Sequence, residues 1–483
     1  MNDQSPLPDM LWSGLGLVAP LEARVTGVLP RPGIFGISID SRSLQPGDLF
    51  FAIEGDTNDG HDFVHAAFEN GAAAAVVAEA RAHEFEAAGT LYIVHDVLAA
   101  LERLGRAARA RSKGKIIAVT GSVGKTSTKE ALRLVLGEQG QTHASTASYN
   151  NHWGVPLTLA TLPSRARFGV FEIGMNHAGE ITPLAAMVRP HVAIVTTVAP
   201  VHTEFLGSVE AVADAKAEIF SGLEQGGVAV IHRDIPQFER LRERAEASPA
   251  GSIVSFGEHE EAEARLISLV LAADHSDITA LINGNEMTYR LGAPGRHLAV
   301  NSLAVLAAVE AADGDVGSAA ATLAYLAQPP GRGARVNLQA TGGAFTLIDE
   351  SYNANPVSMR AALAVLAGTS PGWLGRRIAV LGDMLELGPD APALHAELAE
   401  AIAESRVDVV FAAGLLMQHL ADAIPSNVYG GWAERAADIE SAVLDAVHGG
   451  DVVMVKGSKG SRMSAIVAAL RERYTAVAET GRP

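Results

Sequence analysis

The stretch IIAVTGSVGKTSTKE, residues 116–130, reads as strand, glycine-rich turn and helix in immediate succession. Ile116, Ile117 and Val119 form a short β-branched run, and Gly121 and Gly124 permit a tight turn. Lys125-Thr126 then opens a helix predicted to pass through Leu132 and Leu136 and stop at Gly137. A turn of this kind at a helix N-terminus holds an anion: backbone N–H groups cradle a phosphate, the Lys125 ammonium reaches the outer phosphates and the Thr126 hydroxyl can ligate Mg²⁺. The spacing is shorter than in the common phosphate loop, whose first glycine would fall on Val119. The bland alternative is an ordinary turn before a helix, against which turn, Lys and Thr all arrive between strand and helix.

Outward from this loop, residues 170–174 (VFEIG) form an apolar strand ending on Glu172, and 191–198 (HVAIVTTV) a second buried strand with His202 and Glu204 just beyond. In an open parallel sheet ligands lie at the carboxyl ends of strands, so Glu172 and His202 are expected on the same edge as Lys125 and Thr126. With sixteen histidines in the chain, His202 is as readily an ordinary histidine as a metal or phosphate contact. Residues 148–156 (SYNNHWGVP) are too polar for a core element and form a candidate binding loop containing Asn150 and Asn151.

Only seven of the 37 basic residues are lysines, so each lysine merits scrutiny. Lys216 falls on the apolar stripe of a predicted helix, between Val212 and Phe220. A half-buried ammonium there loses pKa and becomes a reactive amine or a paired group; the alternative is a stem snorkelling to the surface. From residue 295 another helix carries Asn301 early on an apolar face, where a buried amide needs a partner such as an adenine edge.

The flanks are also α/β. Residues 36–80 alternate strands with a helix starting near Asp62, and the turn Asp40-Ser41-Arg42 is either a ligand contact or a solvated turn. An Arg-rich helical segment at 100–115 places a boundary near Arg111. Residues 227–287 suggest short, partly antiparallel strands, and 328–333 (QPPGRG) a hinge. Beyond it four apolar strands, 345–349, 377–383, 407–414 and 451–457, alternate with helices as a second doubly wound unit. Polar residues collect at their ends: Asp349 with Asn353 and Asn355, Asp383 with Glu386, and Lys456 with Lys459.

The composition is that of a globular chain of about three domains, with 48% hydrophobic and 19% charged residues. A net charge of −18 argues against non-specific nucleic-acid binding. Without cysteine there is neither disulfide nor thiol catalysis. The start MNDQSPLPDM lacks a signal-peptide pattern and no apolar run nears membrane-spanning length, so no membrane insertion is expected and the expected location is cytoplasmic.

The segments TGSVGKTSTKE, YNNHWGVPLTLA, FEIGMNHAGEI, AKAEIF, GRHLAVNSLAVLAA, LIDESYNANPVSM, VLGDMLELG and VKGSKGSRM, with DSR, PGDLFFAI and DGHDF near the N-terminus, resemble the Mur ligases of bacterial cell-wall synthesis over nearly the whole chain. The resemblance implies three α/β domains: a UDP-binding domain at 1–111, a central P-loop ATPase with a mostly parallel sheet at 112–328 and a Rossmann-like domain at 329–483. It implies an enzyme that uses ATP and Mg²⁺ to join D-alanyl-D-alanine to UDP-N-acetylmuramoyl-tripeptide, with a monomer as the expected state.

Carried over residue by residue, Gly121, Ser122, Val123, Gly124, Lys125, Thr126 and Ser127 bind ATP phosphates, and Asn301 contacts adenine. Thr126, Glu172 and His202 surround Mg²⁺, with Lys216 matching a carbamylated lysine. Arg335 and Asp349 close the nucleotide site from the third domain, and Ser41 and Arg42 lie near UDP. Asn150, Asn151, Asn353 and Asn355 are the remaining substrate candidates. Lys125, Lys216, His202 and Asp349 form the implied catalytic set; no residue declares itself as the base for the incoming amine. An amino-acid-adding branch of the same family is the nearest rival, but the DNPR motif of its diaminopimelate-adding members is absent. A nucleotide-dependent switch protein is the rival from another class, and ATP turnover that needs both substrates separates it from a ligase.

Overall fold

The computed structural model describes residues 10–55, 58–145, 148–201 and 203–477, so His202 lies outside the described residues. Three sheets of five, nine and seven strands follow one another along the chain, each mixed and mostly parallel.

In the first sheet, Ile37–Ser38, Leu49–Phe51, Ala74–Ala78 and Leu91–Val94 run parallel and Arg24–Thr26 closes the edge antiparallel. The helix Val97–Arg111 leads on from it. It starts earlier than the arginine content suggests because the Asp96 carboxylate caps it, accepting the Ala99 N–H at 2.9 Å. Its buried face, Ala100, Leu101, Leu104 and Ala108, joins one apolar core that runs from Leu11 to Ala245 and so spans the first and central sheets. Two of the helix arginines are ties rather than surface charges. Arg109 donates to the Val188 and Arg189 carbonyls at 2.7 Å each, and Arg111 lies 3.5 Å over the Trp12 ring.

Toward one edge of the nine-stranded sheet, Val192–Val195, Lys115–Thr120 and Phe168–Glu172 lie side by side and parallel. The register pairs Val119 with Glu172, which sets that carboxylate beside the start of the phosphate loop. Residues 227–291 differ from the expected short strands. Gly227–His232 and Ala250–Gly257 extend the parallel sheet, Ala264–Leu271 joins it parallel to Ala250–Gly257, and Ser276–Ile282 and Asn285–Leu291 continue it antiparallel, these last three strands being seven or eight residues long.

In the third sheet the four expected strands appear as Gly343–Glu350, Arg377–Gly382, Val409–Ala413 and Val452–Lys456, mutually parallel and buried on both faces. Three further strands were not legible. Ala334–Ala340 alternates toward solvent, Tyr429–Ala433 contains Gly430 and Gly431, and Thr475–Ala476 has two residues. Among the described residues no helix is long and apolar enough to cross a membrane.

Candidate active site at the phosphate loop

The loop is rigid because the adjacent strand end holds it. The Thr196 hydroxyl donates to the Val123 carbonyl at 2.6 Å, and the Ser122 N–H donates to the Thr197 carbonyl at 2.8 Å. Gly121 and Gly124 adopt φ of +147° and +89°; a Cβ on Gly121 would stand 1.9 Å from the Thr196 oxygen, and one on Gly124 2.5 Å from the Asn301 amide nitrogen. Asn301 thus covers the loop from the helix Arg296–Ala311. The helix Lys125–Gly137 follows as expected, and its N-terminus faces the loop.

The Lys125 ammonium folds back onto the Gly121 carbonyl at 2.6 Å. Burial holds it below the ordinary lysine range, the Glu172 carboxylate pulls it back up and the Arg332 guanidinium lowers it further. The Ser127 hydroxyl is turned onto the Gly124 carbonyl at 3.0 Å.

Glu172 is 2% exposed, and both its oxygens are engaged, by the Thr126 hydroxyl at 2.8 Å and the Asn150 amide at 2.7 Å. Asn150 therefore orients the carboxylate, while Asn151 accepts the Gly154 N–H at 3.0 Å and fixes the start of the helix Gly154–Ala160. Lys216 is buried at 2% exposure in the helix Val209–Ala217, as its place on the apolar stripe predicted. Burial, and then the Lys125 cation, hold its amine well below the ordinary range. Thr126 and Glu172 together offer hard oxygen donors of the kind Mg²⁺ takes beside phosphate oxygens. Among the described residues no cluster of three His, Asp or Glu forms a metal cage.

The third unit reaches this edge through residues the sequence reading did not single out. Arg332, in the linker, donates to the Ser148 hydroxyl at 3.4 Å, and that hydroxyl lies 3.4 Å from the Thr126 hydroxyl. Arg335, the expected contact, donates instead to the Ala273 carbonyl and, at 3.2 Å, to the Thr369 hydroxyl, because strand alternation points it at the hairpin turn of the nine-stranded sheet. Asp349 is engaged with the linker beside Arg332. Its carboxylate accepts the Gly331 N–H at 3.0 Å and the Ser351 hydroxyl at 2.6 Å, gripping the linker.

The next residue, Glu350, points the other way. It accepts from the buried Lys456 ammonium at 3.2 Å and is close enough to His297 of the central unit to raise its pKa against the larger effect of burial. Asn353 is exposed and supplies only its carbonyl, to Lys456 at 3.0 Å. Asn355 caps the helix Pro356–Gly368 in a capping box with Ser358.

Ser41 and Arg42 stay within the first unit. The Ser41 carbonyl accepts from Asn70 at 2.9 Å, and Arg42 makes a bidentate pair with Asp40, whose carboxyl that hydrogen-bonded guanidinium holds down at about 2. The only advance signal for Arg332 was its setting between glycines in the hinge; Glu350 had the alternation of its strand.

Residues 33–111 match the Mur ligase family, catalytic domain, 119–309 the Mur ligase middle domain and 332–459 the Mur ligase, glutamate ligase domain. The chain belongs to the Mur ligase family. It is 33% identical over 443 residues to UDP-N-acetylmuramoyl-tripeptide--D-alanyl-D-alanine ligase of Escherichia coli, covering 91% of this chain and 94% of that one. The protein of the same description from Bacillus subtilis is 32% identical, with 93% and 96% covered. MurF from Acinetobacter baumannii superposes with a TM-score of 0.81 at 28% identity, covering 95% of this Mur ligase and 99% of that chain. MurF from Thermotoga maritima in complex with ADP superposes with 0.73 at 25% identity over 91% and 98%.

Proposed function

We propose that this Mur ligase is an ATP-dependent enzyme that joins D-alanyl-D-alanine to the terminal carboxylate of UDP-N-acetylmuramoyl-tripeptide, giving the pentapeptide precursor of peptidoglycan. The observation that carries the site assignment is the convergence of Lys125, the Thr126–Glu172 pair and Arg332 on one strand-end edge, with the residues coming from two domains. A carboxylate is a poor electrophile, so its oxygen first attacks the γ-phosphorus of ATP, forming an acyl phosphate and releasing ADP. The amine of the dipeptide then attacks the acyl carbon, and phosphate leaves as the amide forms.

The charges of this reaction set the tasks of the residues. Lys125 leaves the Gly121 carbonyl to meet the outer phosphates, and Arg332 supplies a second cation as charge spreads over the transferring group. Thr126, Glu172 and His202 would hold Mg²⁺, which would supply positive charge to the phosphate oxygens. Lys216, its amine held below the ordinary lysine range by burial, would form an N–C bond to CO₂ with loss of one proton to solvent and offer the resulting carbamate as a further oxygen donor.

Asn301, which stands over Gly124 of the loop, contacts the adenine. Asp349 closes the nucleotide site from the third domain by setting the linker that carries Arg332. Ser41 and Arg42 serve the UDP end, and Asn353 lies toward the dipeptide. The working domain bounds are 1–111, 112–328 and 329–483, and the enzyme acts as a cytoplasmic monomer. Mass spectrometry of the product formed from Mg-ATP and the two peptide substrates tests the proposal; the expected mass is that of the tripeptide donor plus one dipeptide less water.

A further inference from the structure

Arg332 is held unusually for a cation. Among the described residues no carboxylate lies within ion-pair distance of it, and its guanidinium carbon stands 4.0 Å over the ring of Tyr352. A π face attracts the guanidinium but leaves its positive charge uncompensated, whereas a carboxylate would neutralise it. The other contact, the Ser148 hydroxyl, leads to Thr126 and so aims the charge at the phosphate loop.

Tyr352 itself is fixed. Its N–H donates to the Gly331 carbonyl at 3.0 Å, the Arg332 N–H donates to the Pro329 carbonyl at 3.0 Å, and Asp349 accepts from Gly331 on the other side. Linker and Tyr352 loop are one braced turn. The ring stands at 36% exposure, and its hydroxyl makes no hydrogen bond among the described residues, so its face is what acts on Arg332.

Resting on the function proposed above, we infer that Tyr352 is a positioning residue: its ring presents the Arg332 guanidinium to the transferring phosphoryl group. Because Tyr352 belongs to the third domain and Ser148 to the central one, Arg332 takes this pose only when the two domains meet. Phosphoryl transfer is thereby coupled to closure.

The test is a double-mutant cycle with Tyr352→Leu, Tyr352→Phe, Arg332→Ala and the Arg332→Ala/Tyr352→Leu pair, assayed with Mg-ATP, UDP-N-acetylmuramoyl-tripeptide and D-alanyl-D-alanine. Tyr352→Leu is expected to lower kcat by roughly tenfold, the scale of a partly desolvated cation–π contact, with KM for the two peptide substrates unchanged. Tyr352→Phe should restore most of that loss, and in the Arg332→Ala background the leucine change should add less than about twofold. A Tyr352→Leu enzyme as fast as wild type, a phenylalanine variant as slow as the leucine one, or a full tenfold further loss without Arg332 would overturn the inference. Wild-type enzyme that forms no product would overturn the functional reading instead.

Discussion

The Asp349 carboxylate accepts the Gly331 N–H at 3.0 Å, fastening the end of the strand Gly343–Glu350 to the linker that enters the third domain. The Asp349 carbonyl also accepts the Gly333 N–H at 2.7 Å, so the linker is held on both sides of Arg332. Replacing Asp349 by alanine frees this grip and leaves the Ser351 hydroxyl without its acceptor. Turnover is expected to fall about 10²-fold, the cost of misplacing a reacting constellation by about 1 Å, while ATP binding to the central domain changes little. Separate measurement of kcat and of the ATP dissociation constant checks this, and unchanged kcat would contradict it.

Lys125→Ala should fold normally, since Thr196, Thr197 and the two glycines set the loop without the side chain. Loss of a main contact to the transferring phosphoryl group corresponds to about 10³-fold or more in kcat. Near-normal turnover in a correctly folded variant would remove the phosphate-loop assignment.

Lys216 gives a pH dependence whose sign follows from burial. An unfolded lysine holds its proton up to about pH 10.4, while the buried amine has released it at lower pH. Between the two pKa values the unfolded chain binds more protons, so stability rises with pH in that window. The Tm of wild type relative to Lys216→Met should therefore climb as pH rises toward the ordinary lysine value, and a flat difference would refute it. Activity of Lys216→Ala should be low and partly regained with short carboxylic acids, which stand in for the carbamate.

Much of this architecture was legible because its strongest signals are local. A β-branched strand, a glycine turn and Lys-Thr define the phosphate loop wherever they occur, and Val212, Lys216 and Phe220 announce a buried lysine through spacing alone. The strand Tyr429–Ala433 was hidden because its glycines read as breakers and only tertiary pairing with Val409–Ala413 makes it a strand.

At the site, what was illegible is what depends on direction. Arg332 and Arg335 are both basic and three residues apart, and only the turn at Pro329 and the register of Ala334–Ala340 send one toward Ser148 and the other toward Ala273. Asp349 and Glu350 are likewise adjacent acids that strand alternation places on opposite faces. The cap made by Asn355 was illegible because helix-capping and ligand-binding asparagines share one sequence appearance.

The central claim is that the chain adds a dipeptide, and acceptor selectivity tests it most directly. ATP-dependent product formation is to be compared for D-alanyl-D-alanine, D-alanine, L-lysine and meso-diaminopimelate, with UDP-N-acetylmuramoyl-tripeptide and UDP-N-acetylmuramoyl-dipeptide as donors. A single amino acid forfeits the hydrogen bonds of a peptide unit and a carboxylate contact, each roughly 1–3 kcal/mol, so a preference of several hundredfold or more for the dipeptide with the tripeptide donor is expected. Efficient addition of one amino acid to the dipeptide donor would contradict the account and place the chain in the amino-acid-adding branch of the family.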